Sequence, residues 1–186
     1  KISVLFGRQN FPCSYEEGEN ADNIFLPCTI DVNYKGNESK LFEYVRKNPN
    51  VNPDDFQTFY QIKRMSVAPA CPHWSPVLSA DFHSSVLDDA EKKEYLAVGG
   101  KYIFYQRGNK CQYYNQYQSY INSDVIIFNS MKYELENVIG RKPKTEVEII
   151  DECDEFLDNL SNEKIINLNL LSNKLNFLIS NNTEYQ

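Results

Sequence analysis

Ser123-Asp124-Val125-Ile126-Ile127-Phe128-Asn129, running on into Ser130-Met131-Lys132-Tyr133-Glu134-Leu135-Glu136-Asn137-Val138-Ile139-Gly140, is the stretch that decides the architecture. Val125 to Phe128 is an unbroken apolar run of strand length between polar residues, which suits a strand buried in a parallel sheet. Met131 to Val138 reads as a short helix stopped by Gly140. A second apolar run, Val147-Glu148-Ile149-Ile150, predicts another strand and leads directly into Asp151-Glu152-Cys153-Asp154. Strand, helix and strand in this order predict an α/β class.

Upstream, Tyr113 to Tyr120 reads as a helix with Tyr113, Tyr117 and Tyr120 on one side. Ile2-Ser3-Val4-Leu5-Phe6 reads as the end of a strand. Between them, Gly7 to Lys110 is irregular and punctuated by Pro, Asn, Asp and Gly, with short helices expected at 39–47 and 87–95. So long a stretch of weak secondary structure needs something else to hold it, and a metal centre would serve. Downstream, Ile165, Ile166, Leu168, Leu171, Leu175 and Leu178 recur at helical spacing, which predicts an amphipathic helix over Asn162–Ser180.

The 186 residues include 13 Tyr and 11 Phe and are 41% hydrophobic, enough for a sizeable core. No run approaches the ~18 consecutive apolar residues of a membrane span. The chain opens on Lys1 without a signal peptide, and the missing initiator Met suggests an internal fragment or a processed chain. Five cysteines without a secretory signal point to an intracellular, reducing compartment, the cytoplasm or a nucleus. The net charge of −7 argues against a free-standing nucleic-acid binder, whose affinity rests on neutralised phosphates. The acid is concentrated in 146–158, however. Arg8, Lys63, Arg64, Lys92, Lys93, Lys101, Arg107 and Lys110 lie between or near the cysteines and leave room for a local basic face.

Two carboxylates directly after an apolar strand suit nucleotide hydrolysis, because the end of such a strand opens onto the ligand crevice of an α/β sheet. Asp151 would hold a magnesium ion and Glu152 would orient and deprotonate the attacking water. An acidic surface loop accounts for the same residues. Cys13, Cys28, Cys71 and Cys111 are widely spaced, unlike the close pairs of structural zinc sites. Four such thiolates suit a cubane cluster, whose ligation imposes no fixed spacing; equally, they read as scattered small hydrophobes. Pro precedes Cys13 and Cys28 and follows Cys71, and all four lie in irregular segments. Cys153, inside the acidic box, is a poor candidate for a fifth ligand.

Taken in order, these segments resemble one family. Gly7-Arg8-Gln9-Asn10-Phe11-Pro12-Cys13 resembles the G-R-x-N-(Y/F)-x-C signature that opens the cluster domain of XPD/DinG-type iron–sulfur DNA helicases. Cys71-Pro72-His73-Trp74 resembles the third-ligand segment. Cys111-Gln112-Tyr113-Tyr114 and Ser123 to Asn129 resemble the fourth ligand, its helix and the strand after it, with Gln112 for the usual Pro and Ser123 for the usual Ala. Ile149-Ile150-Asp151-Glu152-Cys153-Asp154 resembles helicase motif II, with Cys153 and Asp154 in place of Ala and His.

The resemblance implies part of a RecA-like motor domain (1–6 and 112–160), with motif II at 151–154. It implies an inserted, irregular, mainly helical 4Fe-4S domain (7–111) and the start of a helical arch (161–186). It implies Cys13, Cys28, Cys71 and Cys111 as cluster ligands, Cys28 by its distance from Cys13 alone. Asp151 and Glu152 become the acids acting on magnesium and ATP. The expected partners are single-stranded or forked DNA and the remaining helicase domains, in cis or as a separate chain, with no membrane. Arg8, Phe11, Tyr102 and Tyr105 are the expected DNA contacts, through phosphate charge and base stacking. No G-x-x-x-x-G-K-(S/T) occurs, so the chain alone is expected not to hydrolyse ATP although the parent protein would be a 5′-to-3′ translocase. A non-catalytic interaction module stabilised by zinc or a cluster is the rival expectation.

Overall fold

A computed structural model describes residues 1–151. Residues 1–146 form one compact unit, and the chain from Val147 belongs to a second. In chain order the first unit carries β1 (Ile2–Leu5), α1 (Glu38–Lys47), α2 (Arg64–Val67), β2 (Val77–Ser79), β3 (Glu91–Ala97) and β4 (Gly100–Gln106). It continues with α3 (Gln112–Asn115), α4 (Ser119–Asn122), β5 (Val125–Phe128) and α5 (Ser130–Val138). Helices and sheets are mixed, as an α/β class requires.

β1 and β5 pair in parallel with Ile2 opposite Val125 and Leu5 opposite Phe128. Everything between them is one long excursion from this pair. The Gln116 side chain extends the pairing past the end of β1: its carbonyl accepts from Phe6 N at 2.9 Å and its amide donates to Phe6 O at 3.2 Å. This fixes where Gly7 and Arg8 enter the excursion. The expected burial of β5 is corrected. Ile126 and Phe128 pack on the core, whereas Val125 and Ile127 are about half exposed, as are Val4 and Phe6. Parallel sheets are normally covered on both faces, and here one face of the pair is open.

The excursion holds two apolar clusters. In the smaller, α1 presents Leu41, Tyr44 and Val45 at helical spacing to Ile30, Phe59, Ile62, Val67 and Ala70. Asn48 ends α1 and is itself buried, its amide donating to Ser66 O at 2.9 Å. The larger cluster gathers Cys71, Trp74, Val77, Phe104, Cys111 and the tyrosines of α3 and α4.

One expectation for 7–111 is corrected. The helix expected at 87–95 is mostly β3, which pairs with β4 along its whole length, while β2 pairs with the other edge of β4 in the order β2-β4-β3. Tyr95 and Ala97 point inward while Glu94 and Leu96 point out, and this period of two overrides the helical tendency of Glu-Lys-Lys-Glu. The largest regular element of the region is thus an antiparallel sheet, although its helical turns together span more residues than its strands. Gly100, at φ 122°, turns the β3–β4 hairpin. Gly99 donates to Gly140 O at 2.8 Å, so close that a Cβ on Gly99 would meet that oxygen at 2.7 Å.

The helix expected at 131–138 is α5, capped by the Asn129 side chain accepting from Lys132 N at 2.8 Å. The strand expected at 147–150 is absent, with Ile149 91% exposed. An apolar run becomes a strand only where a neighbouring edge supplies the ladder. The expected helix at 162–180 lies outside the described residues. Among the described residues no helix is long and apolar enough to cross a membrane.

Candidate metal centre

Four segments remote in sequence bring Cys13, Cys28, Cys71 and Cys111 to one small, partly open cavity, lined also by Arg8, His73 and Tyr114. Local backbone geometry aims each thiol. The 13–19 turn closes through Cys13 N donating to Glu19 O at 2.7 Å. It leaves the Tyr15 and Glu16 amides donating to Cys13 Sγ, each at 3.4 Å. Cys28 follows Leu26 and Pro27 at the floor of the loop, and Arg8 donates to its sulfur at 3.5 Å. Pro69 tightens the turn before Cys71, whose sulfur is faced by the His73 amide. Cys111 precedes α3, so the Tyr113 and Tyr114 amides face its sulfur.

Every sulfur is thus met by at least one N–H. A neutral thiol is a weak acceptor, whereas such donors stabilise thiolates and tune the clusters they hold. Burial opposes ionisation: it pushes the Cys71 thiol up to about 12 and raises that of Cys111. A metal that deprotonates its ligands outright overcomes that cost.

Arg8 completes the wall. Its guanidinium donates to Tyr114 Oη at 2.9 Å and Ala21 O at 3.2 Å and lies 4.1 Å from the centre of the Tyr113 ring. Burial works against this charge, yet Tyr114, Tyr113 and Cys28 hold its pKa above the ordinary arginine value. Among the described residues no carboxylate pairs with it, and buried charge is costly without a counter-charge. Anionic sulfur in the cavity would supply one. Arg64 stands behind, donating to Pro27 O and Ile30 O at 3.3 and 2.6 Å; burial lowers its pKa, and Cys28 and Tyr114 act against that fall. Among the described residues no three His, Cys, Asp or Glu side chains are grouped to hold a single metal ion. The four thiols line one cavity, and four cysteines are the donor set that an iron–sulfur group would need.

The expected DNA contacts fare differently. Arg8 is half-buried, and its guanidinium is turned to Cys28 and Tyr114. Phe11 packs edge-on against Tyr113 at 6.0 Å. Tyr105 is 4% exposed, so no base can stack on it. Tyr102 is half-buried, with its hydroxyl donating to Ile139 O at 2.9 Å. Both on β4, Tyr102 and Tyr105 serve the packing of the sheet, and the four residues form no common outer surface. Asp151 is exposed, and Glu152 lies outside the described residues, as does Cys153. His73 and Tyr114 were not singled out by sequence reasoning as site residues, and Arg64 only as one of several basic residues near the cysteines. Tyr114 had a signal in its position three residues after a cysteine at a helix start, whereas nothing in the sequence set Arg64 apart from its basic neighbours.

No family model, curated protein or solved structure matches this chain.

Proposed function

We propose that this chain is the iron–sulfur portion of a DNA helicase of the XPD/DinG type, with a 4Fe-4S cluster held by Cys13, Cys28, Cys71 and Cys111. One observation carries the reading: four cysteines scattered over about a hundred residues line one cavity, and each sulfur is met by an N–H. When bound, the cluster supplies a cross-link between four loops and a centre able to take up or release one electron. The chain's own residues do the rest. The 13–19 turn, the 111–114 amides and Arg8 hold the sulfurs in place, and Arg8 balances their charge. The open parallel pair of β1 and β5 supports the wider assignment to part of a RecA-like motor, since an α/β sheet is covered on both faces when complete. In such a motor Asp151 and Glu152 would serve magnesium and ATP, and the complete protein would act on single-stranded or forked DNA.

Anaerobic purification followed by quantification of iron, labile sulfide and zinc tests the reading. About four irons and four sulfides per chain are expected from cubane ligation. Stoichiometric zinc without sulfide would establish the rival, a zinc-stabilised interaction module.

A further inference from the structure

α5 is inside-out. Its charged residues Lys132 and Glu136 are buried, Glu136 completely, while Met131 and Val138 are 80% and 85% exposed. The buried charges connect to the cysteine cavity through alternating cations and rings. Arg8, which touches Cys28 Sγ, lies 4.1 Å from the Tyr113 ring centre, and Lys132 Nζ lies 5.4 Å from the same ring. Lys132 Nζ also lies 4.8 Å from the Tyr117 ring, and the Arg141 guanidinium 5.3 Å from it. Hydrogen bonds lock the sequence: Lys132 and Arg141 donate to Tyr117 Oη at 2.9 and 3.2 Å, and the Tyr113 and Tyr117 hydroxyls share one at 3.1 Å. At the far end Glu136 pairs with Lys132 at 3.0 Å and with Arg141 at 2.7 Å.

Lys132 and Arg141 thus share one carboxylate in the interior, and Arg8 faces Lys132 across the Tyr113 ring with no carboxylate paired to it among the described residues. The uncompensated charge extends to the cavity wall, where thiolate sulfur is the available counter-charge. We propose that this ladder couples the cysteine cavity to α5, so that filling the cavity with an anionic metal–thiolate centre orders α5 and the 139–143 turn. The inference rests on the metal-centre reading above. Cavity and ladder share Arg8, and the turn is fastened to the ladder by the Arg141 and Lys142 amides donating to Glu136 O, both at 3.0 Å. An empty cavity leaves Arg8 without an anion. It then repels Lys132 across Tyr113 and weakens the Lys132–Glu136 pairing that holds α5 inward.

Hydrogen exchange on the full 186-residue chain, metal-free and after anaerobic reconstitution with ferrous iron and sulfide, tests the coupling. Amides of 131–142 should exchange about tenfold more slowly in the loaded chain, a ratio within the usual range for coupled sites. Lys132→Met, which leaves Glu136 paired with Arg141, should still take up iron but lose this difference. Tyr117→Phe, which keeps the ring and deletes the shared hydroxyl, should reduce it. Iron uptake that slows exchange only at 11–28 and 108–115 overturns the ladder and leaves the metal centre standing. The same follows if neither variant alters the difference at 131–142. A wild-type chain that takes up no metal overturns both.

Discussion

Cys13, Cys71 and Cys111 each bring a sulfur to the cavity and at least one N–H to that sulfur. Serine at any of them should abolish iron uptake, read as loss of visible absorbance and of bound iron, whereas Cys153→Ser should leave uptake intact. Arg8 is the residue whose meaning changed most between sequence and structure. An arginine in a signature motif suggests a phosphate contact, yet its guanidinium is occupied by Tyr114, Ala21, Cys28 and the Tyr113 ring. Arg8→Gln should therefore destabilise the chain by about 1–3 kcal/mol in urea titrations, the cost of leaving buried acceptors unsatisfied. It should leave the salt dependence of any DNA binding unchanged. The Cys71 thiol predicts a pH effect. Its folded pKa, about 12, lies above the ~8.5 of an unfolded cysteine, so the folded state retains the proton longer. Metal-free chain should lose stability as pH rises from about 9 towards 12. Buried tyrosines such as Tyr44, also pushed up to about 12, act in the same direction. Cys71→Ala should accordingly flatten the decline without removing it, as denaturation midpoints across that window will show.

Among the elements, the β3–β4 hairpin and the turn after α5 depend on one another. Gly99 donates to Gly140 O, Val98 donates to Lys142 O at 2.9 Å, and Tyr95 donates to Arg141 O at 2.7 Å. Gly140 sits at φ 80°, and a Cβ on Gly99 has no room against backbone. Gly99→Ala should cost about 1–3 kcal/mol, the usual penalty of overpacking, and it should raise hydrogen exchange at both 95–100 and 139–143. Raised exchange in the hairpin alone would mean that the two elements are not joined. Burial alternation in β3 was present in Lys93, Tyr95 and Ala97, but the charged Glu-Lys-Lys-Glu run obscured it. α1 was legible because Leu41, Phe42 and Val45 have helical spacing and Asn48-Pro49-Asn50 stops it.

The molecule as a whole exposes apolar surface on one strand pair and one helix. Ile2, Val4, Val125 and Ile127 lie outward on the pair, and Met131, Leu135 and Val138 on α5 with Ile139 just after it. Exposed apolar surface, where contiguous, drives association. Met131→Glu with Val138→Glu should reduce self-association in sedimentation velocity without lowering the melting temperature, since neither side chain is buried. The chain should show no ATPase activity with or without single-stranded DNA, because no P-loop is present to cradle phosphates. Turnover abolished by Glu152→Gln would reveal a different nucleotide site.

Residue order alone carries the α/β class, α1, β5, α5 and the identity of the four cysteines, because periodicity, caps and neighbouring prolines are local signals. Convergence of those cysteines on one cavity could not be read from spacing, since loops of many lengths close at nearly the same entropic cost. Cys28 illustrates this: only its distance from Cys13 marked it, and the fold places it opposite Arg8. Which aromatics are buried, which arginine faces sulfur and whether 147–150 forms a strand were likewise decided in three dimensions. Burial, ion pairing and strand pairing depend on partners from distant segments, and a linear pattern does not name those partners.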